Sequence, residues 1–170
     1  MSLGKRLAQS AQKEAALKRP LPLEASASET LPSGATVSAR ATFADTDKYT
    51  KLTGQIRVSC EGTSSARGAT PQERAERFAQ SATYLSESLQ FVETDAGGTA
   101  TVRSTPETMS GRRSAYFEAK VKDDEVTLQR FQPSESGPGR TSVPFPLSDD
   151  ILVRVVDDAA NALKPRRDRS

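Results

Sequence analysis

The sequence predicts an α+β fold: an antiparallel sheet of about six strands in the order ββαββββ, closed by a helix, with the helices on one face. Three observations predict it. From residue 35 onward apolar residues recur at period two in six short runs. Two windows, beginning at Thr70 and Ser148, instead carry the i, i+3, i+4, i+7 stripe of an amphipathic helix. The later strand runs are joined by short polar turns of the hairpin kind.

Residues 1–18 place Leu3, Leu7, Ala11 and Ala15 on one stripe flanked by Lys5, Arg6, Lys13 and Lys18. This basic amphipathic segment reads as a fraying terminus, with an organelle transit segment and a partner-docking helix as alternatives. Residues 19–34 hold three prolines among Ser, Ala and Glu and read as a linker. The resulting organisation is an N-terminal segment and linker over 1–34, one α+β domain over 35–164 and a basic tail over 165–170.

Val37, Ala39, Ala41 and Phe43 alternate with polar residues to give a first strand, and Ile56, Val58 and Cys60 give a second. Thr70 as N-cap, Pro71 at N1 and Glu73 at N3 form a capping box, and Ala75, Phe78, Ala79, Ala82, Leu85 and Leu89 supply the helical stripe. Strands follow over 89–94, 99–105, 113–122 and 125–131, the first two joined by Asp-Ala-Gly-Gly and the last two by Asp123-Asp124. In the short extended run TSVPFP, Pro144 and Pro146 restrict the chain to a sheet edge or to irregular structure. Ser148 caps the closing helix, Asp149 and Asp150 match its dipole, Leu152, Val155, Val156, Ala159, Ala160 and Leu163 form its apolar face, and Lys164 with Pro165 ends it.

Composition excludes several function classes. Histidine is absent and cysteine occurs once, so His-dependent catalysis, His metal sites and an internal disulfide framework fall away. No G-x-S-x-G elbow, no Ser-x-x-Lys at a helix start and no glycine-rich phosphate cradle is present. The paired acids have simpler readings: Asp45/Asp47 and Asp123/Asp124 as turn chemistry, Asp149/Asp150 as helix N-terminal charge, and Asp157/Asp158 as the solvated side of the last helix. Cys60 falls on the inward face as a small hydrophobe. The expectation is a chain with no catalytic residue, metal or cofactor and no membrane span. Its compartment is read as reducing: cytoplasmic, or an organelle matrix if the N-terminal helix is a transit segment. Leu, Ile, Val and Phe make up only 31 of 170 residues, a thin core that predicts a homo-oligomer.

If the helices cover the face of Val37, Phe43, Ile56, Val58, Val102, Phe117, Val121, Val126 and Leu128, the pleat sends the intervening residues to the other face. That face would carry Arg40, Arg57, Arg103, Tyr116, Glu118, Lys120, Lys122, Thr127, Gln129 and Phe131. Aromatic side chains beside Arg and Lys on an open sheet are what base stacking with phosphate neutralisation needs. Arg40, Arg57, Arg103, Lys120 and Lys122 are the candidate phosphate contacts, Tyr116 and Phe131 the stacking residues, and Gln129 a base-edge partner. The same pattern also arises when Lys and Arg merely protect strands and two aromatics form a cross-strand pair, and a protein partner would use the same face.

From Arg112 through RRSAYFEAKVKDDEVTLQRFQ to the closing helix, the order strand, tight turn, strand, loop, strand, helix resembles the PUR-repeat, PC4 and Whirly group of single-stranded nucleic-acid-binding domains. The resemblance covers the C-terminal half. It implies a four-stranded antiparallel sheet followed by one helix, and paired sheets that present a basic, aromatic-bearing face to unpaired DNA or RNA. The first half, with two strands before its helix, and the acids Glu118 and Glu125 depart from that pattern. The chain is therefore expected to be a non-catalytic binding module for single-stranded nucleic acid, with a protein-interaction subunit or assembly factor as the alternative. The formal net charge of +2 divides unevenly: residues 1–34 carry five bases and three acids, residues 164–170 four and one, and the body between them 15 and 18.

Overall fold

The computed structural model describes residues 1–62, 69–105, 115–134 and 137–164. It shows the α+β class, with three helices on one face of a mostly antiparallel open sheet. The strands are β1 (Leu23–Thr30), β2 (Thr36–Thr46), β3 (Thr50–Glu61), β4 (Leu89–Thr94), β5 (Ala100–Ser104), β6 (Tyr116–Val121), β7 (Glu125–Pro133), β8 (Arg140–Ser142) and β9 (Phe145–Ser148). The helices are α1 (Leu3–Ala16), α2 (Pro71–Ser81) and α3 (Asp149–Leu163). The spatial order is β1-β2-β3-β7-β6-β5-β4.

Two readings of the N-terminal region need correction. Residues 19–34 are not a linker, because Leu23–Thr30 forms β1 and pairs along its whole length with β2. The prolines that suggested a linker, Pro20, Pro22 and Pro32, all lie outside the strand, and alternation inside it rests on the small residues Ala25 and Ala27 after Leu23. The β1–β2 turn is a three-residue loop: Leu31 N–H donates to the Ala35 carbonyl at 2.7 Å, Gly34 N–H to the Leu31 carbonyl at 2.9 Å, and Gly34 takes φ +90°. Nor does α1 fray. Leu3, Leu7 and Ala11 are buried in the common core, and α1 packs on β1 and α3. At the α1–α3 crossing a Cβ on Gly4 would sit 2.3 Å from the Val153 carbonyl oxygen, so only glycine allows that approach. The Gly4 N–H donates to Asp157 Oδ1 at 2.8 Å.

The inward faces agree with the period-two reading. Val37, Phe43, Ile56, Val58, Val102, Phe117, Val121, Val126 and Leu128 are all buried, and Cys60 with them. The predicted caps form: Thr70 Oγ1 accepts the Glu73 N–H at 3.2 Å, and Ser148 Oγ accepts that of Ile151 at 3.3 Å. The α2 stripe runs past the helix. The helix ends at Ser81, Ala82 and Leu85 are buried from the turn that follows, and Leu89 opens β4. Pro165 and the basic tail lie outside the described residues.

The proline-bearing run near the C terminus has an unexpected place. β3 pairs with β7 only over Ile56–Ser59, and beyond that the two strands diverge. Residues 140–148 fill the fork: β8 pairs β7 through Phe131↔Ser142 to Pro133↔Arg140, and β9 pairs β3 through Thr50↔Ser148 to Thr53↔Phe145. Because each half of this wedge pairs on one side only, Pro144 and Pro146 displace no ladder bond between two neighbours.

The chain thus consists of two meanders, β1–β3 and β4–β7, each followed by a helix, with the last strand of each meeting at the centre. The helices cross over. α2 leaves the first meander and packs beneath β4, β5 and β6, whereas α3 leaves the second and packs beneath β3 and β9 and against α1. Arg74 on α2 ties the two together, its Nη1 donating to the Ala162 and Leu163 carbonyls at 2.8 and 2.9 Å and so capping the C-terminal end of α3.

Candidate binding face

The uncovered face of the sheet carries the predicted side chains in rows fixed by register. One row runs Thr101, Lys120, Thr127, Arg57, Arg40, Ser26 across six strands. A second sets Arg103, Glu118 and Gln129 side by side, and a third Tyr116, Phe131 and Ser142. Placement on this face follows from the pleat, since each residue is offset by one from a buried neighbour.

The rows separate into two regions. At the β6–β7–β8 corner, five side chains interlock. Tyr116 and Phe131 pair across strands with ring centroids 6.3 Å apart at 39°. Arg140 lays its guanidinium 3.8 Å from the Phe131 centroid, and Arg103 reaches 5.4 Å from that of Tyr116. Both guanidiniums converge on Glu118. Arg140 Nη1 and Nη2 each donate at 2.8 Å, to Oε1 and Oε2; Arg103 donates to Oε1 from Nη2 at 2.8 Å and Nε at 3.2 Å. Arg140 Nη1 also donates to the Tyr116 hydroxyl at 3.1 Å. Glu118 is only 2% exposed on a face that none of the three described helices covers, because the two arginine arms lie over it. Burial pushes its carboxyl up, but the hydrogen bonds from Arg140 and Arg103 outweigh that and hold it below the ordinary glutamate value. The bond to Glu118 in turn raises Arg140 above the usual arginine value.

Arg140 and the anchoring role of Glu118 were not foreseen. Arg140 sits in a Gly- and Pro-rich stretch that reads as loop, and only the register Pro133↔Arg140 brings it to this corner. Its one sequence signal is that it directly precedes the extended run TSVPFP.

Toward β1 the face is different. Arg40 pairs with Glu24 at 3.2 Å and Arg57 with Glu125 at 3.1 Å, around an open trough of about 560 Å³ floored by Ser26, Ser28, Ser38 and Ser59. Lys120 bridges to the Thr101 hydroxyl at 2.7 Å. Gln129 is half-buried beside Glu118. Lys122 lies exposed at the β6–β7 turn next to Asp123 and Asp124, apart from the corner cluster. The structure therefore brings Arg103, Tyr116, Lys120, Gln129 and Phe131 together, and sets Arg40, Arg57 and Lys122 away from them.

Several other charged groups serve the fold. Asp47 accepts the Tyr49 and Thr50 N–H groups at 2.8 and 2.6 Å, which lowers its pKa. Lys51, buried beneath the sheet, donates to Asp149 Oδ1 at 3.0 Å and to the Asp47 carbonyl at 3.3 Å. Asp157 and Asp158 are not on a solvated side. Both are half-buried, the first holding Gly4 and the second accepting the Tyr84 hydroxyl at 2.8 Å. Burial, and then that hydrogen bond, raise the Tyr84 phenol, and burial raises Asp158. Among the described residues no group of three His, Cys, Asp or Glu has metal-site geometry, and no helix is long and apolar enough to cross a membrane. Comparison with protein families, curated proteins and solved structures finds no match.

Proposed function

We propose that the chain is a non-catalytic binding module that docks a protein partner on the open face of its sheet, centred on the Tyr116–Phe131–Arg103–Arg140 corner. The observation that carries this reading is charge matching. Each of Arg40, Arg57, Arg103 and Arg140 already shares a carboxylate, and at the corner that carboxylate is the buried Glu118, which a phosphate would have to displace from both Arg103 and Arg140. A protein surface needs no such displacement. Rigid Tyr, Phe and Arg side chains held by a buried anchor, ringed by paired charges, match the composition of interface hot spots and their rims.

A second reading, single-stranded nucleic acid, has its own support. Guanidinium planes stacked on rings are surfaces on which bases stack, and Lys120 stands in the adjacent row. The two readings part on salt. With the tagged protein as bait, the protein reading expects a stoichiometric partner retained at about 500 mM salt, and lost on Phe131→Ala but not on Lys120→Ala. Fluorescence anisotropy with oligo-dT and oligo-U then shows no binding. Micromolar oligonucleotide affinity at about 50 mM salt, falling steeply with added salt and weakened by Lys120→Ala, overturns the protein reading in favour of the second.

A further inference from the structure

We infer that β1 is a homodimerisation edge, pairing antiparallel with β1 of a second copy about a two-fold axis at Ala27. The inference stands on the strand edge and does not need the reading of the open face.

β1 ends the sheet, and among the described residues no strand pairs with its outer side. The direction of its backbone groups follows from the β1–β2 turn. Leu31 is hydrogen-bonded to Ala35, and antiparallel partners alternate between bonded and non-bonded pairs. Residues 23, 25, 27, 29 and 31 therefore direct their N–H and C=O to β2, while Glu24, Ser26, Ser28 and Thr30 direct theirs away from it. These four successive outward donor–acceptor residues have no strand partner among the described residues. They are bounded by Pro22 and Pro32, which lack N–H groups and lie equally far from Ala27 on either side.

The edge carries no lysine, no proline and no bulge within its eight residues and keeps an unbroken register against β2; its two charges are Glu24 on the open face and Glu29 on the helix side, the latter paired with Lys164 at 3.4 Å. The opposite edge differs. β4 is six residues long, its register shifts between Phe91 and Glu93, and Val92, Glu93 and Thr94 are exposed.

The occupant is fixed by self-complementarity. A two-fold at Ala27 opposes Glu24 to Thr30 and Ser26 to Ser28 of the second copy, so that all four outward residues of each copy fall in bonded pairs. No acid meets an acid. On the helix side Ala27 meets its own copy and Ala25 meets Glu29, small enough for the strands to close. The axis of an antiparallel edge pair is perpendicular to the sheet, so both open faces point the same way and both sets of helices lie opposite.

Disulfide trapping across the axis tests this. Ala27 would face its copy in a non-bonded pair, where Cβ atoms approach to about 4.5–5.5 Å. Ala27→Cys is expected to give a covalent dimer under mild oxidation, while Ser38→Cys, on the next strand inward, does not. The native Cys60 is buried. Sedimentation equilibrium of the unmodified protein is expected to show a reversible dimer, and Ser26→Pro, which removes an outward N–H that no β1–β2 bond uses, is expected to abolish it while far-UV circular dichroism shows the fold retained. A wild-type monomer at roughly millimolar concentration, the limit for so small an interface, overturns the inference. So does a dimer that survives Ser26→Pro, or equal trapping at residues 27 and 38.

Discussion

Glu118 is the residue on which the open face depends. It sits in a row where the pleat demands an outward side chain, yet it is buried by two arginines that share its carboxylate. Glu118→Ala leaves Arg103 and Arg140 facing each other without their anion, and is expected to cost about 1–3 kcal/mol in urea unfolding, because both arginines are partly exposed and regain water. The pH dependence has a definite sign. The folded carboxyl titrates below its unfolded value, so its contribution is complete above the unfolded glutamate pKa of about 4.3 and is lost as pH falls through the lower, folded value. Thermal midpoints should therefore drop as pH is lowered below about 4, and drop less steeply in Glu118→Gln. A midpoint in Glu118→Gln that tracks the wild type across that range would show the carboxylate to be energetically idle.

At the scale of elements, α1 is part of the core through a single permissive position. Gly4 meets the α3 backbone so closely that Gly4→Ala forces the helices apart, at an expected cost of about 1–3 kcal/mol read from the thermal midpoint, while Gln9→Ala on the exposed side is neutral. Most elements were legible because each carried one dominant signal: period two in β2, β3, β6 and β7, and a capping box or a dipole match in α2 and α3. β1 was not, since Ser, Ala and Glu have weak strand propensity and its flanking prolines count as breakers wherever they fall. The burial of α1 was hidden because a four-residue stripe of Leu and Ala does not say what it packs against. The open face was readable residue by residue from the pleat. Its partition into a corner cluster and a serine trough was not, because that depends on Arg140 arriving from a distant segment and on glutamates of neighbouring strands.

For the whole molecule, the crossed helices decide cooperativity. Each meander is covered by the helix of the other, and Arg74 binds the end of α3 across that exchange. Neither half has its own closed core. Far-UV circular dichroism and tyrosine fluorescence should report one coincident urea transition, and residues 1–88 or 89–170 produced separately should remain unfolded. Two separable transitions would mean that the halves are independent units. The exchange also reconciles a low content of large apolar residues with one continuous core, since alanines such as Ala39, Ala41, Ala100, Ala119, Ala159 and Ala160 let the sheet and the helices approach closely.

The wedge between β3 and β7 carries a kinetic consequence. Its segments bond to the sheet on one side only, which places residues 140–148 among the first to detach in local opening and makes their amides poorly protected against solvent exchange. Yet the same nine residues bring Arg140 to the outer cluster and Phe145, edge-on to Phe117 at 5.2 Å, to the interior. A single sub-global excursion therefore uncovers Glu118 on one side of the sheet and the core on the other, so the lifetime of the Arg140–Glu118–Arg103 cluster is bounded by how often this wedge lifts out.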